Sequence, residues 1–230
     1  MLPHAGYIYS GPIAAKGMAA LAARGRPAVV VILGPNHYGV GAEVALSPAE
    51  AWETPLGRSF LDSPLAERLR TLFPRLSPSE EAHHQEHSLE VILPFLQHLY
   101  GEGLPFLPIA LADQSLATCT ALGEGLSEAL KGLAAAVIAS SDLSHYYPQE
   151  KAESLDQKAI EAVLTREPEA LQREIDVYEV NMCGPGAVMA MLACLKRLGA
   201  ARATLLGHAT SGDTGGGRRR VVGYCAVLVE

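Results

Sequence analysis

Five continuous apolar runs constrain the fold of this chain more than any other feature. They span residues 28–33, 107–111, 134–139, 203–206 and 221–229, and valine, isoleucine, leucine and alanine dominate them. Because none alternates strictly between apolar and polar residues, we expect strands that are buried on both faces of a sheet. The chain has 230 residues, of which 49% are apolar, so it can build one sizeable core.

Segments with helical spacing of apolar residues separate these strands. They span residues 12–23, 63–72, 88–99, 116–130, 151–164 and 186–198. Alternating strands and helices predict a layered α/β fold with helices on both faces of a central sheet. We find no repeat and no linker-like segment, so we expect one domain over residues 1–230.

Charge and composition exclude several classes of protein. The net charge of -7 argues against nucleic acid as the main partner. The only basic run, Arg218-Arg219-Arg220, is interpreted as a solvated turn. No apolar stretch is long enough to span a membrane, and the first residues do not resemble a signal peptide. Four scattered cysteines predict no disulfide scaffold, so we expect a reducing, cytoplasmic location.

Polar residues cluster where the predicted strands end. His37 follows the first strand, Asp142 and His145 follow the strand that ends at Ala139, and His208 follows Leu206. Functional side chains of layered α/β folds gather at such strand ends. These loops therefore predict a cleft lined by histidines.

The segment His83-His84-Gln85-Glu86-His87 contains the pattern of inverted zinc proteases. That site needs both histidines on one helix, whereas apolar helical spacing begins only at Leu89, so we expect His83 in the preceding loop. Glu86 is then a polar residue at a helix start, where the helix dipole favours a carboxylate. In a third interpretation, His87 alone is a metal ligand.

The cluster of Ser140, Asp142 and His145 suggests a hydrolase triad. Triads are assembled from separated segments, however, and the chain lacks the G-x-S-x-G elbow of serine hydrolases. We therefore interpret Asp142 and His145 as acid/base groups, and the alternative is a carboxylate or hydroxyl that caps a turn.

Cys183 precedes a predicted helix, and a helix N-terminus is expected to lower the pKa of its thiol. Such a thiol is suited to nucleophilic attack or metal binding, and the alternative is an inert buried cysteine, the role we expect for the other three. Together with strand-end histidines, a thiolate would suit zinc, iron(II) or copper.

Five ordered blocks resemble the Memo family, also called AmmeMemoRadiSam system protein B, which is structurally similar to class III extradiol ring-cleaving dioxygenases. The blocks are Pro3-His4-Ala5-Gly6-Tyr7, Leu33-Gly34-Pro35-Asn36-His37, Glu86-His87-Ser88-Leu89-Glu90 with Leu93-Pro94, Ser140-Ser141-Asp142-Leu143-Ser144-His145, and Cys183-Gly184. The resemblance implies a single-domain α/β/α fold with a mixed central sheet. Relatives carry a further segment with a strand before the first block; we expect it to be absent here, leaving the sheet edge near His4 less well covered.

The resemblance also implies roles for six residues. His37, His87 and Cys183 would be the metal ligands, with His4, Asp142 and His145 as catalytic groups around them. In the ring-cleaving enzymes two histidines and a glutamate hold iron(II), and here Cys183 stands where the glutamate would be. A thiolate is a softer ligand, which shifts the preference toward copper or zinc.

Three functions follow as expectations. The first is iron- or copper-dependent oxidoreductase chemistry, similar to that of a dioxygenase, on a small aromatic substrate. The second is a non-enzymatic peptide-binding or signalling module that uses the same pocket, and the third is a cysteine hydrolase built on Cys183. The expected partner is a small molecule or a peptide in the pocket, and a homo-oligomer is a further expectation.

Overall fold

The computed structural model describes residues 1–215 and 217–230. Its central sheet has five strands: β1 (Val29–Pro35), β2 (Val44–Leu46), β5 (Leu76–Pro78), β6 (Phe106–Leu111) and β7 (Ala135–Ala139). Their order across the sheet is β5-β2-β6-β1-β7. β1 runs parallel to β6 and β7, and β2 runs antiparallel to β6 and parallel to β5, so the sheet is mixed.

Two smaller sheets accompany it. The strands β8 (His145–Tyr147), β10 (Val221–Val229) and β9 (Ala203–Thr210) form one, in that order, and β3 (Ala51–Thr54) pairs with β4 (Gly57–Phe60) in the other. Met1 and Leu2 connect the central sheet to the three-stranded sheet. Leu2 donates its N–H to the Ala139 carbonyl over 2.9 Å, and Met1 exchanges backbone hydrogen bonds with Val227.

The helices alternate with the strands along the chain. They are α1 (Tyr7–Ala22), α2 (Ser63–Leu72), α3 (Glu81–His84), α4 (Leu93–Tyr100), α5 (Leu116–Ala129), α6 (Gln149–Thr165), α7 (Pro168–Tyr178) and α8 (Pro185–Arg197), with one 3-10 turn at Glu90–Ile92. Among the described residues, no helix has both the length and the apolar character needed to cross a membrane.

Every residue of β1 is buried, and its side chains point alternately into two cores. Val29, Val31 and Leu33 belong to the first core, which also contains residues of α2, α5, α6, α7 and α8. Val30 and Ile32 belong to the second, with residues of α1 and α4. Helices therefore cover both faces of a mixed sheet, and the predicted fold class is confirmed.

The predicted elements differ from the structure where burial is one-sided or segments are short. The run at 203–206 is part of β9, which continues to Thr210 and is largely half-buried because it is the edge strand of its sheet. The expectation of burial on both faces is wrong there. The helix expected over 88–99 begins as a 3-10 turn at Glu90 and becomes α-helical only from Leu93.

Candidate metal centre

A polar cavity of about 440 Å³ lies beyond the carboxyl ends of β1 and β7. The two strands are parallel neighbours, so the loops that follow them meet at one edge of the sheet. All six residues that the sequence singled out as ligands or catalytic groups line the cavity: His4, His37, His87, Asp142, His145 and Cys183.

The loop after β1 positions His37. Asn36 stabilises this turn, because its side chain accepts the Gly39 N–H over 3.0 Å and donates to the Val40 carbonyl over 2.7 Å. Glu86 then accepts two hydrogen bonds from His37, one from the backbone N–H at 2.6 Å and one from ring Nδ1 at 2.8 Å. With Nδ1 donating, the Nε2 lone pair of His37 is left for the cavity.

Glu86 is buried, with 3% of its surface exposed, yet it is ionised. Burial alone would raise the pKa of its carboxyl, but hydrogen bonds from the His37 ring and from the backbone N–H groups of Ser88 and His37 lower it to about 2. A carboxylate that accepts from a histidine fixes both the tautomer and the orientation of that ring. Glu86 therefore positions His37.

His4 lies between the two sides of the cavity and is 1% exposed. Its Nδ1 is 2.9 Å from the Ser140 hydroxyl oxygen, and that hydroxyl donates its own proton to the Ser88 carbonyl over 2.7 Å. Ser140 can therefore only accept from His4, so Nδ1 carries the proton and the Nε2 lone pair faces the cavity. Burial and the nearby His37 and His87 keep the pKa of His4 well below its usual value.

His87 is held more loosely. Its ring stacks on that of His37, with centroids 4.8 Å apart, and its Nδ1 is 3.7 Å from Glu86, beyond hydrogen-bond distance. The side chain is half-exposed, and burial together with His37 lowers its pKa. We call Glu86, His37 and His87 the glutamate wall.

Asp142 and Cys183 form the opposite side, which we call the cysteine wall. Asp142 accepts the backbone N–H groups of His4 and Ala5, at 2.9 and 3.3 Å. Burial raises the pKa of its carboxyl to about 6, because these two hydrogen bonds only partly offset the loss of solvent. Cys183 Sγ lies 3.4 Å from His4 Nε2 and accepts the Asp142 N–H over 3.2 Å.

The prediction that a helix N-terminus lowers the pKa of Cys183 is wrong. Burial and the neighbouring Asp142 raise the pKa of its thiol to about 12. Cys183 directly precedes Gly184, the N-cap of α8, and that loop packs closely against the 140–141 segment. A Cβ at Gly184 would lie 2.6 Å from the Ser140 carbonyl oxygen. The close approach that buries the thiol thus depends on this glycine.

His145 lies at the mouth of the cavity, and the Asn181 backbone and side chain hold it. The Asn181 carbonyl is 3.2 Å from His145 Nδ1, and the Asn181 side chain accepts the His145 backbone N–H over 2.9 Å. A carbonyl can only accept, so Nδ1 donates and Nε2 is free to accept a proton. Burial lowers the pKa of this histidine.

Two sets of potential ligand atoms share His4. In the first, the ligand atoms of His4, His37 and His87 all lie within 4.8 Å of one another; in the second, the same holds for His4, Asp142 and Cys183. Two nitrogens bound to one zinc or iron ion are about 4 Å or less apart. Among the described residues Cys183 does not belong to the set of His37 and His87, so the three predicted ligands do not form one group. His4 is the residue that both sets share, a role the sequence interpretation had not given it.

The structure also decides two other interpretations of histidines. His83 is in α3 rather than in a loop, but α3 ends at His84, so His87 is not on that helix and the zinc-protease geometry is not formed. His208 lies inside β9 rather than beyond a strand end. Its Nε2 is 2.8 Å from the fully buried Asp156, so the expectation that it points into the cleft is wrong.

Sequence reasoning missed the functional neighbours of the histidines. Glu86 was interpreted as a polar helix start, although its position between two histidines was a signal for a carboxylate that orients one of them. Asn181 had no such signal, because its contact with His145 joins residues 36 positions apart in sequence.

These features define a layered α/β protein with a cavity lined by histidines and a cysteine at the strand ends. The model of the family described as Memo-like protein matches residues 1–228. The chain belongs to this family.

Relatives in several organisms support this assignment. The chain is 44% identical over 229 residues to a MEMO1 family protein of Ignicoccus hospitalis, covering 99% of this chain and 80% of the relative. It is 42% identical over 228 residues to one of Methanopyrus kandleri, covering 98% and 81%. An uncharacterised protein of Escherichia coli K12 has a similar fold, with a TM-score of 0.61 at 15% identity over 92% of this chain and 91% of that one.

Proposed function

We propose that this protein binds a transition-metal ion in the cavity and catalyses oxidative, dioxygenase-like chemistry on a small aromatic substrate. The observation that carries the proposal is the shared arrangement of His4 and His37. Each holds its Nδ1 in a hydrogen bond, to Ser140 and to Glu86, and turns the Nε2 lone pair into the cavity. Metal-binding histidines are held in this way by a partner on the second ring nitrogen.

The donor set fits such an ion. The imidazoles of His4, His37 and His87 would hold it, and Cys183 would approach it from the side of His4. Imidazole nitrogens with a thiolate suit iron(II), copper and zinc. A bound ion of this kind would supply Lewis-acid or redox chemistry. The lowered pKa values of His4 and His87 favour the proposal, because only a neutral imidazole can bind a metal.

Two residues beside the ligands are suited to move protons. His145 has Nε2 free to accept a proton from a substrate hydroxyl, since its Nδ1 donates to the Asn181 carbonyl. The carboxyl of Asp142, with its pKa raised to about 6, exchanges a proton near neutral pH. We assign the base to His145 and a proton-donor role to Asp142.

Metal analysis of protein purified without a metal-affinity tag tests the proposal. We expect bound iron, copper or zinc, and at least a tenfold loss of affinity in His4→Ala and in His37→Ala. His84→Ala is the matched control, because His84 is exposed and lies outside the cavity, and it should leave the affinity unchanged. Protein that binds no transition metal, or three variants with equal affinity, would contradict the proposal.

One contact favours a second candidate, a cysteine hydrolase. The lone pair of His4 Nε2 faces Cys183 Sγ over 3.4 Å, as in a base and nucleophile pair. The high pKa of the thiol speaks against it. Iodoacetamide labelling of metal-free protein separates the two functions: rapid labelling of Cys183 that is lost in His4→Ala favours the hydrolase, and slow labelling favours the metal site. Peptide binding and self-association remain predictions.

A further inference from the structure

Tyr146 has a backbone conformation that no helix end accounts for. Among the described residues, three that are not glycine have a positive φ: Tyr146 at 65°, Arg166 at 66° and Glu179 at 55°. Arg166 and Glu179 end α6 and α7, where one left-handed residue is an ordinary way to terminate a helix. Tyr146 lies in the middle of β8 instead. Left-handed backbone at a bulky residue is disfavoured, and such strain concentrates at functional sites.

The neighbouring strand is irregular at the same place. Tyr147 pairs with Val221 and His145 pairs with Val222, and the register shifts between those two valines, opposite Tyr146. Bulges next to sites commonly redirect a side chain. Here the irregularity accompanies a Tyr146 ring that lines the cavity, is 62% exposed, and lies 5.7 Å from the His145 ring between centroids.

Arg220 lies over that ring. Its guanidinium carbon is 5.2 Å from the centroid of Tyr146. Among the described residues Arg220, like Arg218 and Arg219, has no carboxylate within 4 Å, whereas Arg24, Arg75 and Arg197 are ion-paired. A guanidinium that rests on an aromatic face keeps its N–H donors for another acceptor. The predicted solvated turn is confirmed, since all three arginines are exposed there, and Arg220 in addition contacts the Tyr146 ring.

We propose that Tyr146 and Arg220 form a recognition lip at the mouth of the cavity. The lip selects substrates that carry a carboxylate or a phosphate on the end that remains at the mouth. The inference rests on the proposed function, since it names the substrate class of the same cavity. Tyr146 lines the cavity, and Arg220, which lies over its ring, would attract an anionic end there. The uncharged end of the substrate then enters between the histidines.

Calorimetric titration of the full chain tests the charge preference with three probes: 4-hydroxybenzoate, phenyl phosphate, and the neutral 4-hydroxybenzamide. We expect at least one anion to bind fivefold or more tightly than the amide at low salt, and the preference to shrink at high salt. Arg220→Gln should reduce it to less than twofold. Arg219→Gln removes an equal charge from the same run and should preserve it. The anion that binds more tightly shows whether the lip prefers a carboxylate or a phosphate.

The titrations are made on zinc-loaded and on metal-free protein, so that the two proposals fail separately. A protein that does not bind zinc would contradict the proposed metal site. The titration of metal-free protein would still show whether Tyr146 and Arg220 recognise an anion. Equal binding of anions and amide, no binding of either anion, or the same loss in Arg219→Gln as in Arg220→Gln would overturn the lip.

Glycine substitution separates recognition from folding. Tyr146→Gly relieves the left-handed strain, so we expect weaker binding of all three probes without a lower Tm. Tyr147→Gly is the matched control, because Tyr147 packs against the core and its loss should lower Tm. Tyr146→Gly that lowers Tm as much as Tyr147→Gly and leaves probe binding unchanged would show that the ring serves the fold alone.

Discussion

The two walls of the cavity differ in how they hold negative charge. On the glutamate wall, Glu86 is as deeply buried as Asp142 on the cysteine wall, but it accepts three hydrogen bonds, from His37 and Ser88, and is ionised. Asp142 accepts only two backbone N–H groups, and burial raises the pKa of its carboxyl and that of the adjacent Cys183 thiol. The two carboxyls therefore differ in pKa, because Glu86 accepts more hydrogen bonds, one of them from a histidine ring, while burial outweighs the two hydrogen bonds of Asp142.

This difference assigns the walls different tasks. On the glutamate wall His37 is held in place before any ligand arrives, because the Glu86 carboxylate already orients its ring. The cysteine wall holds protons near neutral pH and must release one for Cys183 to become a ligand. Metal binding, stability and pH are coupled through this wall.

The largest effect is expected for Glu86→Gln, which breaks the glutamate wall. The hydrogen-bonded carboxylate has its pKa lowered from 4.5 to about 2, a contribution of about 3 kcal/mol to the free energy of unfolding. A lowered pKa stabilises the fold above pH 4.5, and this stability is lost as the pH falls toward 2. Urea unfolding at pH 7 should show that Glu86→Gln has a free energy of unfolding lower by this amount. Its metal affinity should be at least tenfold weaker. Glu81→Gln, at an exposed glutamate, is the control, and equal stabilities at pH 7 would contradict the comparison.

A slightly smaller effect of opposite sign is expected for Asp142→Asn. The pKa of Asp142 is raised from 3.8 to about 6, so its favourable contribution is complete below pH 3.8 and is lost as the pH rises through 6. Asparagine preserves an acceptor for the His4 and Ala5 N–H groups but does not ionise. Between pH 4 and pH 7 the variant should therefore gain about 2 kcal/mol in free energy of unfolding relative to the native protein. A relative stability independent of pH would show that Asp142 is not destabilised by burial.

The third prediction concerns the proton released when metal binds. The Cys183 thiol, with a pKa of about 12, is protonated at pH 7, whereas His4 and His87 are neutral. Zinc binding should thus release close to one proton, and affinity should rise up to about tenfold per pH unit between pH 7 and 9. Calorimetry in buffers of different ionisation enthalpy counts the proton. Cys183→Ala should release almost none; an unchanged count would mean that the thiol is not a ligand.

The sequence predicts the central part of the fold because burial there is strong and local. All seven residues of β1 are buried, so an unbroken apolar run was sufficient to identify the strand. The hairpin of β3 and β4 was not predicted, since its strands are short and only one of their residues is buried. The 11-residue helix α7 was also missed, because its mostly polar sequence buries only its first turn well.

The candidate site divides in the same way. Residue type identified His37, Cys183 and His145, because imidazole and thiol side chains at loops are uncommon without a function. The central position of His4 and the charge of Glu86 depend on hydrogen bonds between residues 136 and 49 positions apart in sequence. No local pattern contains that information, and the raised pKa of Cys183 follows from packing against the 140–142 segment in the same manner.

The smallest effect is expected at His83, three residues before Glu86, and it tests whether the glutamate wall includes this histidine. Among the described residues neither buried ring nitrogen of His83 has a hydrogen-bond partner of good geometry, and burial lowers the pKa of His83 to about 4, against a weaker opposing contact with the Ala45 backbone. His83→Phe retains a ring beside Trp52, whose centroid is 5.7 Å away, and removes the unpartnered nitrogens. We expect the variant to gain about 1 kcal/mol in free energy of unfolding, with metal affinity unchanged. His84→Phe, at an exposed site, should gain nothing. A His83→Phe protein that loses its metal would instead make His83 a ligand and extend the wall along the whole His83-to-His87 segment.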